Sequence, residues 1–190
     1  MSIDWYERYV LRMNEQYRKH LREYYNSFFV QLFILIDILK VQSIGEYGCG
    51  AGNCTRILYD NWNITNATWY LLDLDNRMLD LAKQNTVHMR SAYFFQHNIL
   101  DDFLRIGEMD MIFSHGVLEH FADKDIHRIL DLQLHRAKTV VHYVPTFGYD
   151  KPSFGDERLL PAEYWHKTFK PTDTYEFNNG KDIVMIWRRP

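Results

Sequence analysis

The sequence predicts an α/β fold built on a doubly wound, mostly parallel sheet, and three observations carry that prediction. Short apolar strand-like runs alternate with amphipathic helical runs from about residue 41 to residue 144, the pattern of a parallel sheet with helices on both faces. A glycine-rich loop, EYGCGAG at Glu46–Gly52, stands between the first strand and the helix that follows it. Near the end, Asn178, Asn179 and Gly180 separate two alternating runs, and residues that accept positive φ mark a hairpin there.

Each element follows from its local pattern. Tyr6, Val10, Met13, Tyr17 and Leu21 keep helical spacing and lead into the denser apolar stretch Phe28–Leu39, which predicts two helices before the sheet. Val41–Glu46 is a short apolar run that delivers its end to the glycine loop, and a helix opens near Asn53. ATWYLLD, NRMLDLAKQN, AYFFQ, a brief helical turn in DDFLRI, MDMIFS, DKDIHRILDLQLHRA and TVVHYV then alternate as strands and helices. After Pro145 the stretch TFGYDKPSFGDERLLP has no sustained period and reads as a loop or lid. A short helix at 162–168 and the hairpin of FKPTDTYEF with DIVMIWRR close the chain, with the last strand antiparallel to its neighbours.

Composition narrows the function classes. The 190 residues are 46% apolar and 25% charged, enough to build one domain with its own core. A net charge of −3 provides no global field toward nucleic acid or an anionic membrane. Arg8, Arg12, Arg18, Lys19 and Arg22 are interleaved with Asp4, Glu7, Glu15 and Glu23, which favours a solvated helix face over a phosphate-binding stripe. Phe28–Leu39 is too short to span a bilayer, and the charged N-terminal segment lacks the apolar core of a signal peptide. The two cysteines, Cys49 and Cys54, fit neither a disulfide framework nor a paired zinc motif, so a reducing cytoplasm is the expected compartment.

The glycine loop carries the chemistry. Gly48, Gly50 and Gly52 follow a strand and precede a helix, which lets the main chain approach a ligand closely while the helix N-terminus faces it. Asp73 lies 21 residues beyond Gly52, at the end of LLD, where a carboxylate can accept from both hydroxyls of a ribose. The third glycine comes one residue too early for the dinucleotide fingerprint GxGxxG, and Asn53 follows it, which argues against a nicotinamide cofactor and an oxidoreductase. Glu46, two residues before the first glycine, places a carboxyl where a cationic group of a ligand would sit. A helix cap or salt bridge is the alternative use for it.

These residues resemble the class I S-adenosylmethionine-dependent methyltransferase family, from about Val41 to Val144. EYGCGAG resembles the family's first motif, LLDLDNRMLDLAK the end of its second strand and the next helix, FFQHNILD its adenine-contacting stretch, and MDMIFSHGVLEHF its fourth strand and following turn. The resemblance implies a Rossmann-like, seven-stranded sheet with an antiparallel last strand. It also implies S-adenosylmethionine as methyl donor and S-adenosylhomocysteine as product. Residue by residue it implies that Glu46, Gly48, Gly50 and Gly52 surround the methionine moiety, with Tyr47 and Cys49 of the same loop also cofactor-binding, and that Asp73 holds the ribose. Leu74 and Met78 would lie near the adenine, Asn98 and Ile99 at its edge, and Ser114 and His115 near the transferring methyl. Many relatives have Asp where this chain has Asn98, so that contact would be made without charge. The whole chain is then one methyltransferase domain: residues 1–40 capping the site, 41–144 the cofactor-binding core, and 145–190 a lid loop, helix and hairpin.

Transfer from a sulfonium is an in-line displacement, in which alignment supplies most of the acceleration. A general base would assist an oxygen or protonated nitrogen acceptor, and His115, at the mouth of the fourth strand, is the candidate because an imidazole titrates near neutrality. Glu119, His120, His142 and Tyr143 lie nearby in sequence. His115 and His120 are five apart, which does not fit a helical zinc motif, so no metal is expected. Trp5, Tyr6, Tyr9 and Tyr17, or Phe147, Tyr149, Phe154 and Trp165, could stack on a planar or cationic acceptor, though core packing explains most of them. A small-molecule acceptor is the expectation; a cofactor-binding module without its own activity is the alternative, and the oligomeric state is left open.

Overall fold

The computed structural model describes residues 4–102, 106–152 and 156–189, and the chain divides into two compact units, 1–104 and 105–190. The strands form a seven-stranded sheet in the order β3-β2-β1-β4-β5-β7-β6, with helices around it, the Rossmann-like class expected from the sequence.

The first unit holds α1 (Trp5–Val10), α2 (Glu15–Tyr24), α3 (Asn26–Ile38), β1 (Ser43–Tyr47), α4 (Asn53–Trp62), β2 (Thr68–Asp73), α5 (Asn76–Asn85) and β3 (Ala92–Gln96). Three helices precede the sheet instead of the expected two. The spacing Tyr6 to Leu21 is continuous as a pattern, but Asn14 breaks it: its side-chain oxygen accepts from Tyr17 N at 2.8 Å and its amide donates to Leu11 O at 3.1 Å, so α1 ends and α2 starts across it. The first strand starts later than Val41, because Val41 N donates to Ile36 O and closes the end of α3.

Burial explains the parallel pairing. β1 is buried from Ile44 to Tyr47, as expected of a strand covered on both faces, and β1 pairs parallel with β2 and β2 with β3. Phe28, Phe29 and Leu32 of α3, Ile57 and Leu58 of α4, and Trp69 and Leu71 of β2 are core residues of this unit.

The second unit holds β4 (Met109–His115), a 3-10 turn at Leu118–His120, α6 (Asp123–Arg136), β5 (Ala137–Pro145), α7 (Ala162–Phe169), β6 (Asp173–Phe177) and β7 (Asp182–Arg188). β4 and β5 are parallel, and β7 runs antiparallel to both β5 and β6. The β6–β7 turn is the predicted one, with Asn178, Asn179 and Gly180 at φ of 50°, 58° and 77°. Trp165, one of the aromatics weighed as an acceptor contact, is fully buried beside Phe169. Phe147 is exposed, and the Tyr149 hydroxyl donates to the buried Asp182 carboxylate, which also accepts from Tyr143 and Asn178. Phe154 and part of the DDFLRI segment lie outside the described residues. Among the described residues no helix is long and apolar enough to cross a membrane.

Candidate active site

Strand register assembles the first part of the site. Glu46 lies opposite Leu71 and Tyr47 opposite Leu72, so the glycine loop leaves β1 beside Asp73, the last residue of β2. Asp73 in turn pairs with Gln96, the last residue of β3, which puts His97 and Asn98 at the third strand tip. The loop main chain and the carboxylate meet directly: Gly50 N donates to Asp73 Oδ2 at 2.9 Å. Asp73 Oδ1 accepts from Asp75 N at 3.0 Å, and burial raises the pKa of this carboxyl above the ordinary aspartate range, against those two donors.

The loop needs its glycines. Gly48, Gly50 and Gly52 have φ of 67°, 53° and 68°, the left-handed region that L side chains adopt at a cost. A Cβ on Gly50 would come within 3.2 Å of Met78 Cε, so a side chain there would fill the space against α5. Gly52 N closes the turn on Cys49 O at 2.8 Å. Tyr47 and Cys49 are buried, Tyr47 edge-on to His97 at 5.7 Å between ring centres, and burial pushes the Cys49 thiol well up, so it stays protonated.

Glu46 takes the helix-cap role that was the alternative use for it. Gly52, the N-cap of α4, has no capping side chain; Glu46 reaches over from β1 and its Oε2 accepts from Thr55 N at 3.1 Å and Thr55 Oγ1 at 2.5 Å. Cys54 is a further hydrogen-bond partner and the Asp73 carboxylate lies close enough to add repulsion. Burial is the main cause that pushes its pKa up to about 8, so without a ligand the group is mostly a neutral acid at pH 7. The native state therefore keeps a proton that the unfolded state releases above about 4.5. This contribution to stability is complete below 4.5 and is lost as the pH rises through 8. Replacing Glu46 with glutamine removes the titration, so the stability difference between wild type and Glu46→Gln should change by about 1 kcal/mol per pH unit between pH 6 and 8. Urea titrations read this, and parallel curves for the two proteins would contradict the protonated form.

The remaining first-unit candidates divide. Met78 is buried with Ala51 and Leu81, and Tyr6, Tyr9 and Met13 pack on that cluster; Leu74 is exposed. Arg77 fastens the same region by donating to neighbours on both sides, to Asp4 at 3.1 Å and to Asp75 at 2.6 Å. Asn98 Oδ1 accepts from Leu100 N at 3.1 Å and its main-chain oxygen from Asp101 N at 2.8 Å, so this carbonyl closes a local turn and keeps one lone pair for a ligand. Ile99 beside it is half-buried.

In the second unit, Ser114 is fully buried and its Oγ lies 2.6 Å from His142 Nδ1, while His142 Nε2 lies 2.7 Å from Gln133 Oε1. A carbonyl oxygen only accepts, so Nε2 carries the proton and the Ser114 hydroxyl donates to Nδ1. Burial brings His142 down to about 3, which keeps this chain neutral. His115 stacks on Tyr143 at 4.3 Å between ring centres. The expectation that His115 titrates near neutrality is not met: its Nε2 is shut away from solvent, and burial brings its pKa down to about 3. Glu119 is buried and its carboxyl pushed well up, by burial first and by Glu157 and Asp156 as well. His120 Nδ1 lies 2.9 Å from Asp156. Among the described residues no three His, Cys, Asp or Glu side chains are grouped to hold a metal.

Sequence reasoning passed over Thr55, Gln133 and above all Asn85. The signal for Asn85 was available: Met78, Leu81 and Asn85 share one helix face, and an amide closing an apolar stripe has to find partners.

The profile of a methyltransferase domain family matches residues 44–137, from β1 to the start of β5. The chain belongs to the class I S-adenosylmethionine-dependent methyltransferases. S-adenosylmethionine is the methyl donor of this methyltransferase. Solved structures with the same fold include the pyocyanin biosynthetic protein PhzM, 15% identical with a TM-score of 0.70, covering 97% of this chain and 62% of that one. The N-methyltransferase NodS from Bradyrhizobium japonicum WM9 is 16% identical with a TM-score of 0.65, covering 87% of this chain and 96% of that one. Human N-acetylserotonin methyltransferase, in complex with S-adenosylmethionine, is 14% identical with a TM-score of 0.65, covering 94% of this chain and 55% of that one. The methyltransferase thus spans little more than half of the last of these. No curated protein matches it in sequence.

Proposed function

We propose that the methyltransferase holds its donor on the loop Glu46–Gly52 against Asp73 and methylates a small-molecule acceptor in the cytoplasm. The observation that carries the reading is the meeting of Gly50 N with the Asp73 carboxylate at 2.9 Å, on a loop whose three glycines all take left-handed φ. The residues present fit the donor: a bare main-chain bend approaches closely, Asp73 offers acceptors for ribose hydroxyls, and Glu46 is a buried acid that a neighbouring cation would ionise. Tyr47 and Cys49 complete the wall of the loop, and Leu74, Met78, Asn98 and Ile99 are the residues that would hold the adenine.

Bound S-adenosylmethionine supplies an electrophilic methyl group on a sulfonium. Ser114 commits its hydroxyl to His142, and His115 is a neutral imidazole above about pH 3. A base that weak contributes less than one matched to the working pH, so alignment is the larger effect. Replacing His115 with alanine is expected to lower turnover roughly 10-fold or less, with cofactor affinity unchanged. The wild-type rate should show no inflection between pH 6 and 7; an inflection there that disappears in the variant would restore a titrating base.

The N-terminal segment caps the cofactor side in this reading, supported by Tyr6 and Tyr9 of α1 and by Met13 after it, which pack on Ala51 and Met78. Ion pairs of Arg18 with Glu15 and Lys19 with Glu23, and the bond from Arg22 to Asn61, engage the N-terminal cations within the protein, which supports a small acceptor over a nucleic acid. Incubation with methyl-labelled donor and a fractionated cell extract tests it. Label in the low-molecular-mass fraction is the expected result, and label confined to protein or RNA would overturn the acceptor class.

A further inference from the structure

We propose that Asn85 is a positioning residue for the glycine loop, and that Arg18 ties the N-terminal helix α2 to the loop through it. The inference rests on the reading of that loop as the cofactor site.

Asn85 ends α5 and is only 3% exposed. Its Nδ2 donates to Ala51 O at 2.9 Å and to Asn53 Oδ1 at 3.0 Å. Its Oδ1 accepts from Arg56 Nη1 at 2.9 Å and from Arg18 Nη1 at 3.2 Å. A primary amide has two donors and two acceptor sites, and all four are filled here. Arg56 also donates to the Asn85 main-chain oxygen at 3.0 Å, which fastens the end of the helix as well as the side chain.

The position of the first of these bonds gives the network its use. Ala51 stands between Gly50 and Gly52, whose left-handed φ of 53° and 68° come with little steric restraint on the chain. The Ala51 carbonyl and the Gly52 amide belong to one peptide plane. A donor held on that carbonyl fixes the plane and so sets the direction of the Gly52 N–H, while Asp73 holds the Gly50 N–H. The loop is thereby preorganised, which reduces the ordering cost of binding. Asn53, the first residue of α4, takes the second donor, so loop and helix start are held by the same amide. Arg18 comes from α2, 67 residues away in sequence, and shares one oxygen with Arg56.

Asn85→Asp separates positioning from packing. The carboxylate keeps the bonds to Arg18 and Arg56, now as ion pairs, but loses both donors and turns lone pairs toward Ala51 O and Asn53 Oδ1. We expect S-adenosylhomocysteine to bind at least 10-fold more weakly by calorimetry, and the Gly52 amide to exchange hydrogen about 10-fold faster. Melting of the ligand-free protein should stay within a few degrees of wild type. Wild-type affinity in a folded Asn85→Asp protein would overturn the proposal. Arg18→Met removes one acceptor contact while sparing the Ala51 bond, and serves if Asn85→Asp does not fold; a roughly threefold loss of affinity is expected, and no loss would overturn the link to α2. Asp73→Ala is measured alongside. If it retains affinity, the loop is not the cofactor site; if it loses affinity and Asn85→Asp does not, the positioning role alone fails.

Discussion

Replacing Asp73 with alanine is expected to lower affinity for S-adenosylhomocysteine by about 100-fold while the protein still folds, because up to two charge-assisted hydrogen bonds to ribose are lost at about 1.5–3 kcal/mol each. Without ligand, the same carboxylate accepts from Gly50 N and Asp75 N, and losing those bonds is partly offset by relief of a desolvation cost, the leading cause of its raised pKa. The variant should therefore show a modest stability loss and a large binding loss. Asp73→Asn keeps the shape and one acceptor, and should fall between. Calorimetry with S-adenosylhomocysteine is the measurement, and binding by Asp73→Ala within threefold of wild type would move the cofactor away from this strand tip.

The second large effect is on the fold itself. A Cβ at Gly52 would sit 3.1 Å from Leu71 Cδ2, 3.3 Å from Ala82 Cβ and 3.4 Å from Thr86 Cγ2, on a residue at φ +68°. Left-handed backbone costs an L residue about 1–2 kcal/mol and overpacking a core adds about 1–3. Gly52→Val should thus lose about 3–4 kcal/mol, equivalent to a fall of roughly 10 °C in melting temperature at this chain length. Gly50→Val meets only the flexible end of Met78, at 3.2 Å. It should melt closer to wild type and show its defect in cofactor binding. Equal melting temperatures for the two variants would mean that the loop relaxes freely and that these contacts do not constrain it.

The contrast between the two glycines shows where reading the sequence stops. Both appear there as members of one motif, equivalent apart from spacing. The neighbours that distinguish them are Leu71, Ala82 and Thr86 in one case and Met78 in the other, brought in by β2 and α5 from 19 to 34 residues away. Asn14 is a similar case at the local level: the apolar spacing from Tyr6 to Leu21 reads as one helix, and a single asparagine, bonding backward to Leu11 and forward to Tyr17, makes it two.

The features legible in the amino-acid order are those set by short-range geometry. These are strand and helix periods, the positive-φ bend of the glycine loop, the carboxylate at the next strand tip, and the Asn-Asn-Gly hairpin; each depends on a few consecutive residues and their steric limits. Tertiary structure alone decided the proton on Glu46, the neutrality of His115 and the grip of Asn85 on Ala51. Charge state and hydrogen-bond satisfaction depend on how much water is excluded and which distant groups replace it, and only the folded chain sets those two quantities.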